Sequence, residues 1–142
     1  MWTRIHPVFA LGQLGIFVVS VGLLIGYGLG RVPFAVVHVS VLIKVAFMVG
    51  AIVTGSLWEH DVYGRWWFAY EFLVEDVMTA NVFALHLGYL VIVYAWPGHI
   101  PVAVAILVFA YVLYAVNVGQ YIVSHLRSRR EAPYEPEAEI AA

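Results

Sequence analysis

The feature that most constrains this chain is a row of four apolar runs, at about residues 7–29, 33–57, 72–96 and 101–125, joined by short polar pieces. Each reaches the roughly 20 residues that a helix needs to cross a hydrocarbon core of about 30 Å. Backbone N–H and C=O groups in lipid must be satisfied within the segment, which makes helices the economical reading of all four. The runs lack the period-two alternation of a membrane barrel. Composition closes the argument: 63% of the 142 residues are hydrophobic and 11% charged, with a mean hydropathy of +0.90, too few charges to cover a soluble globule of this size. The expected fold class is an all-α integral membrane protein, a four-transmembrane-helix bundle in one domain over residues 1–126. An acidic, proline-containing tail over 127–142 is expected to be disordered.

Several function classes fall away. Without cysteine there is no disulfide framework and no thiolate chemistry. A net charge of -2 and the lack of a basic cluster outside the tail argue against nucleic acid. The first run is not preceded by the charged stretch of a cleavable signal and is expected to stay in the membrane. Arg4, Arg65, Arg127, Arg129 and Arg130 fall at one end of a four-helix topology, with Arg31 at the other, so both termini and the middle connector are expected to be cytoplasmic.

That connector, residues 58–76, is where charge is dense. Glu59, Asp61, Arg65, Glu71, Glu75 and Asp76 are interleaved with Tyr63, Trp66, Trp67, Phe68, Tyr70 and Phe72. Carboxylates mixed with that much aromatic surface suit a flat, amphipathic, membrane-associated ligand. Most such aromatics serve as an interfacial belt; the density of Trp58, Trp66, Trp67 and Tyr70 leaves room for a stacking surface.

Depth follows from the helical rise of about 1.5 Å per residue. Gln13, Glu75, Thr79, Asn117 and Gln120 then form one polar layer within roughly 5 to 12 Å of the connector face. Glu75, Thr79, Val82, His86 and Tyr89 share one face of the third helix, and Tyr114, Asn117, Tyr121 and His125 one face of the fourth. Lys44 and His86 lie level with each other, about 20 Å deep.

A lysine at that depth costs a few kcal/mol, too deep for its head to reach the interface. It is a neutral amine, a cation bonded to a carbonyl that holds the bundle together, or a group facing a ligand carboxylate or proton path. His86 either donates to a neighbouring helix or offers a neutral imidazole to the metal of a flat macrocycle. His38 is the other histidine well inside a helix, at another depth, which disfavours a bis-histidine haem site. Glu75 and Asp76 open the third helix, where its dipole favours carboxylates. An inward-facing Glu75 is also suited to donating a proton, and Glu59 lies near it if the connector folds back, giving an acid/base pair. Asn117 and Gln120 either bridge helices or hold a ligand carbonyl or water. Arg65 marks topology or binds a substrate carboxylate.

The runs TGSLWEHDVYGRWWFAYEFLVEDV, ALHLGYL and AYVLYAVNVGQY resemble the vinyl hydratases of bacteriochlorophyll biosynthesis. The points of match are Lys44, Thr54, Gly55, Trp58, Glu59, Gly64, Arg65, Phe68, Ala69, Glu75, Asp76, His86, Tyr89, Tyr111, Tyr114, Asn117 and Gln120. The chain is expected to lack the longer polar arm associated with that family. The resemblance implies a cofactor-free hydro-lyase of the bacterial photosynthetic inner membrane. It would convert the 3-vinyl group of a magnesium chlorin, chlorophyllide or bacteriochlorophyllide, to 3-(1-hydroxyethyl), with water and lipid as its other partners. A second copy or another enzyme of the pathway are further candidate partners. Fitted to that chemistry, Glu75 donates the proton and Glu59 or Asp76 orients or deprotonates the water. Asn117 and Gln120 hold that water or the ring carbonyls, His86 faces the magnesium, and Arg65 or Lys44 pairs with the propionate, with Tyr114 and Trp58 against the ring. Two other classes stay open: a non-catalytic pigment-binding or assembly subunit, and a four-helix haem or quinone protein.

Overall fold

The computed structural model describes residues 2–66 and 73–131. It contains four long helices: α1 (Trp2–Gly28), α2 (Phe34–Tyr63), α3 (Leu73–Ala95) and α4 (Ile100–Glu131), with a single 3₁₀ turn at Pro97–His99 before α4. All four are long and apolar enough to cross a membrane. The 30 residues of α2 span about 45 Å, more than a hydrocarbon core, so its last turns project beyond the apolar slab. Trp67, Phe68, Ala69, Tyr70, Glu71 and Phe72, and the tail from residue 132, lie outside the described residues. Residues 127–131, placed in the tail by the sequence, continue α4 as helix.

The chain folds as two helical hairpins, α1 along α2 and α3 along α4, with α2 and α3 touching over a shorter stretch. Glycine lets the first hairpin close. A Cβ on Gly12 would strike the Phe47 ring and one on Gly50 the Phe9 ring, so each phenylalanine of one helix fills the notch of the other. The two rings meet edge to face at 6.1 Å. Large apolar side chains such as Leu11, Val18, Ile25, Val53 and Phe109 face outward. Helices apolar on every side suit a lipid surround.

Two apolar layers stack along the bundle axis. In one, Val37 and Val41 of α2, Tyr89 of α3, and Ala103, Leu107 and Tyr111 of α4 pack with Phe17 and Val21 of α1. In the other, Met48, Val82 and Tyr114 pack with Phe17, Phe83, Leu113 and Val118. The hydroxyls of Ser40 and Thr54 donate to the Val37 and Gly50 carbonyls, each at 2.7 Å, so these polar side chains are satisfied within their own helix.

Candidate active site

The end of α2 is set by Gly64, whose φ of 70° lies in the left-handed region that glycine reaches without strain. Its N–H donates to the His60 carbonyl at 3.0 Å. The chain then turns back along the helix: the Ser56 hydroxyl donates to the Trp66 carbonyl, and the Trp66 ring stacks on His60 at 4.0 Å. Arg65, between them, is exposed. α2 runs on to Tyr63, six residues beyond the end expected at position 57, because no helix breaker intervenes before Gly64. Trp58 and Glu59 therefore sit on a helix, not in a loop. Glu59 is buried, 7% exposed, and Trp58 is half-buried with its ring 5.9 Å from that of Tyr63.

Glu75 and Asp76 occupy the first turn of α3, both half-buried, where the free N–H groups of a helix start favour negative charge. One carboxyl group thus lies in the last turns of α2 and two in the first turn of α3. With His38 level with Tyr94 in antiparallel helices, Glu59 falls about 3 Å, roughly half a turn, outside Glu75 along the axis. One turn inward of Glu75, Asn117 Nδ2 of α4 donates to Thr79 Oγ1 of α3 at 3.3 Å, and Gln13 of α1 is buried. The polar layer expected there is partly separated, however: Gln120 is exposed while Asn117 is half-buried, and Tyr121, expected on the stripe of Tyr114, is also exposed.

Deeper in the bundle, beyond the layer of Met48, Val82 and Tyr114, lies a closed polar cluster. Lys44 and His86 are both fully buried. The Lys44 side-chain nitrogen stands 3.8 Å from the centre of the Tyr114 ring, 5.4 Å from Phe17 and 5.9 Å from Tyr111. Lys44 Nζ has no hydrogen-bond partner, so the carbonyl pairing considered for it is not formed; aromatic faces surround it instead. His86 Nδ1 lies 2.7 Å from the Val82 carbonyl, which can only accept, so this nitrogen carries the proton and Nε2 of the neutral ring keeps its lone pair. That Nε2 is buried without a partner, as are Ser20 Oγ and the Tyr111 hydroxyl. The His86 and Tyr111 rings lie 5.8 Å apart. Each of the four helices contributes one of these unsatisfied atoms, a concentration that costs about 1–3 kcal/mol per group in an apolar core.

Sequence reasoning did not assemble Ser20 and Tyr111 with Lys44 and His86. It also missed a network at the far end of the bundle, where His38 bridges Tyr89 and Tyr94. The signal was legible: His38 lies near the start of α2 and Tyr94 near the end of the antiparallel α3, hence at one level.

The family model described as 2-vinyl bacteriochlorophyllide hydratase matches residues 1–127. The chain belongs to this family. It is 34% identical over 121 residues to the 2-vinyl bacteriochlorophyllide hydratase of Cereibacter sphaeroides, covering 85% of this chain and 75% of the relative. It is 31% identical over 135 residues to the protein of the same name from Rhodobacter capsulatus, covering 94% and 78%. No solved structure matches significantly. Membership makes the chain a hydro-lyase of bacteriochlorophyll biosynthesis.

Proposed function

We propose that the enzyme adds water to the ring vinyl group of bacteriochlorophyllide, with chlorophyllide as a second substrate, at the end of the bundle that holds the carboxyl groups. The vinyl group is position 2 in the family's name and position 3 in the numbering used above. The observation that supports the site is the placing of Glu59 in the last turns of α2 and of Glu75 and Asp76 in the first turn of α3, with Glu75 one turn from the Asn117–Thr79 pair.

In this reading Glu75 gives a proton to the terminal vinyl carbon. The cation left on the carbon beside the ring is delocalised by the macrocycle, and the oxygen of water bonds to it. Glu59 removes one proton from that water, completing the 1-hydroxyethyl group. The base returns a proton to Glu75 through water, so each turnover consumes one alkene and one water and leaves the enzyme unchanged. Glu59, the most buried of the three carboxyl groups, serves as the base. Asp76 orients the attacking water. Asn117 holds that water from α4, and the exposed Gln120 meets a ring carbonyl at the rim.

Arg65, exposed on the fold-back after α2, pairs with the propionate, and Trp58 offers a face to the ring. Tyr114 floors this end, with Lys44 and His86 behind it. For His86 to meet the substrate magnesium, or Lys44 the propionate, the helices would have to part around Tyr111 and Tyr114; otherwise both act from behind that floor.

Charge asymmetry supports placing both termini and this site on the cytoplasmic side of a bacterial photosynthetic membrane. The test is chemical. The chain is expressed in a bacterium that makes no chlorin, its membranes are given the vinyl substrate, and the pigment is analysed by mass. The reading expects a product heavier by one water, about 18 mass units, absorbing as a ring with one conjugated double bond fewer. Pigment that binds and returns unchanged would refute it.

A further inference from the structure

Ser56 and His60 take no part in the chemistry above, yet both hold the segment that follows α2. Four residues apart, they share one face of that helix. The Ser56 hydroxyl donates to the Trp66 carbonyl, and the Trp66 ring lies on the His60 ring with centroids 4.0 Å apart and an interplanar angle of 26°. The His60 carbonyl also accepts the Gly64 N–H at 3.0 Å. His60 thus holds the chain twice, at Gly64 through its backbone and at Trp66 through its ring. Arg65 is the residue in between.

A tryptophan that serves only as an interfacial anchor needs no such backing, since its ring rests at the headgroup level on its own. An arginine on a free chain reversal would sweep a wide arc and lose backbone and side-chain freedom on meeting an anion. Here the backbone on both sides of Arg65 is tied to α2, so much of that ordering is already complete when the ligand arrives. Ser56 and Glu59, three residues apart, are neighbours on the helix surface, so the tied segment runs beside the turn that carries the buried carboxyl group.

We propose, on the reading of Arg65 as the partner of the propionate, that His60 is a positioning residue for the substrate carboxylate, acting with Ser56 through Trp66. The stack and the bond to the Trp66 carbonyl hold Arg65 over the last turns of α2, where its planar guanidinium can meet a carboxylate through two parallel hydrogen bonds. Trp66 remains 59% exposed above His60, which places aromatic surface next to that charge. The ligand this pair fits is a carboxylate carried on a flat apolar body. A small free anion would use the charge and leave the ring unused.

The test separates the carboxylate from the rest of the pigment. Full-length chain in lipid nanodiscs is given the vinyl substrate as the free acid and as the methyl ester of its propionate, and KM and kcat are measured for each. His60→Ala is expected to raise KM for the free acid about fivefold, the worth of one aromatic stack, with kcat and the KM for the ester unchanged. His60→Phe keeps a flat ring under Trp66 and should restore the parent value. Combined with Arg65→Ala, His60→Ala should add nothing further, because both act on one contact. Ser56→Ala removes the other tie and should raise KM for the free acid about threefold. Parent-like KM for the free acid in His60→Ala, or in Ser56→Ala if His60→Ala does not fold, overturns the proposal while leaving the role of Arg65 in place. Parent-like KM in Arg65→Ala removes that role and the proposal with it. A rise equal for acid and ester, or a fall in kcat, also overturns it, since His60 would then support the fold at large and not the placing of Arg65.

Discussion

The two polar regions of this molecule differ in what surrounds them. At the carboxylate end, Glu59, Glu75, Asp76, Asn117 and Gln120 range from buried to exposed and sit beside a chain reversal that leaves Arg65 in the open. In the middle of the bundle, Lys44, His86, Ser20 and Tyr111 are closed in by aromatic rings and apolar layers. A macrocycle can be met at the first without unpacking the bundle; the second is sealed against anything much larger than a proton or a water. Deep polar residues draw attention in a membrane sequence because they are expensive. Here expense and access point to different places.

Substitutions can break this contrast. The largest expected effect is at the open end: Glu59→Gln should lower the turnover rate about 10²–10⁴-fold, the worth of a general base, with the chain still folded by circular dichroism. A loss no greater than that of Asp76→Asn would move the base to Asp76. In the closed cluster the effect should fall on stability and carry the opposite sign. Lys44→Met removes a buried, unpaired amine while keeping the length of the chain, and should stabilise the protein by roughly 1–3 kcal/mol in thermal unfolding in detergent. A fall in melting temperature would show that Lys44 has a partner it needs.

Smaller effects sharpen the picture at the rim. Arg65→Ala should raise KM about tenfold with kcat nearly unchanged, as expected when one exposed, charge-assisted contact to the propionate is lost. A fall in kcat alone would mean that Arg65 acts in the transition state. Asn117→Ala should cost about 1 kcal/mol of stability through the lost bond to Thr79, while Gln120→Ala should cost close to nothing, both by thermal unfolding. Equal costs would contradict the separation of these two residues.

The same contrast explains what could be read from the sequence. Four helices were legible because apolar length is a strong local signal, and the face shared by Glu75, Thr79, Val82, His86 and Tyr89 followed from spacing alone; the structure buries its inner three residues. Local signals do not say which helix lies opposite. The connector looked like a loop because charge is dense there, yet residues 58–63 complete α2, since Glu59, His60 and Asp61 do not stop a helix and Gly64 does. Asn117 and Gln120 read as a pair from their spacing, but the 60° left between residues three apart lets one face Thr79 while the other stays exposed. Tyr111 stood in the sequence only as a point of match to the family; the packing of four helices shows its hydroxyl to be one of four buried, unpaired atoms.

The most direct test of the account is the turnover of Glu75→Gln on the vinyl substrate, alongside the parent at matched protein level and with thermal unfolding of both. Glutamine keeps the shape of the side chain and removes the acid. The account predicts a loss of about 10²–10⁴ in rate with little change in melting temperature, because Glu75 is the proton donor at the half-buried start of α3. Full activity in Glu75→Gln would contradict it and remove the open carboxylate end as the place where water is added.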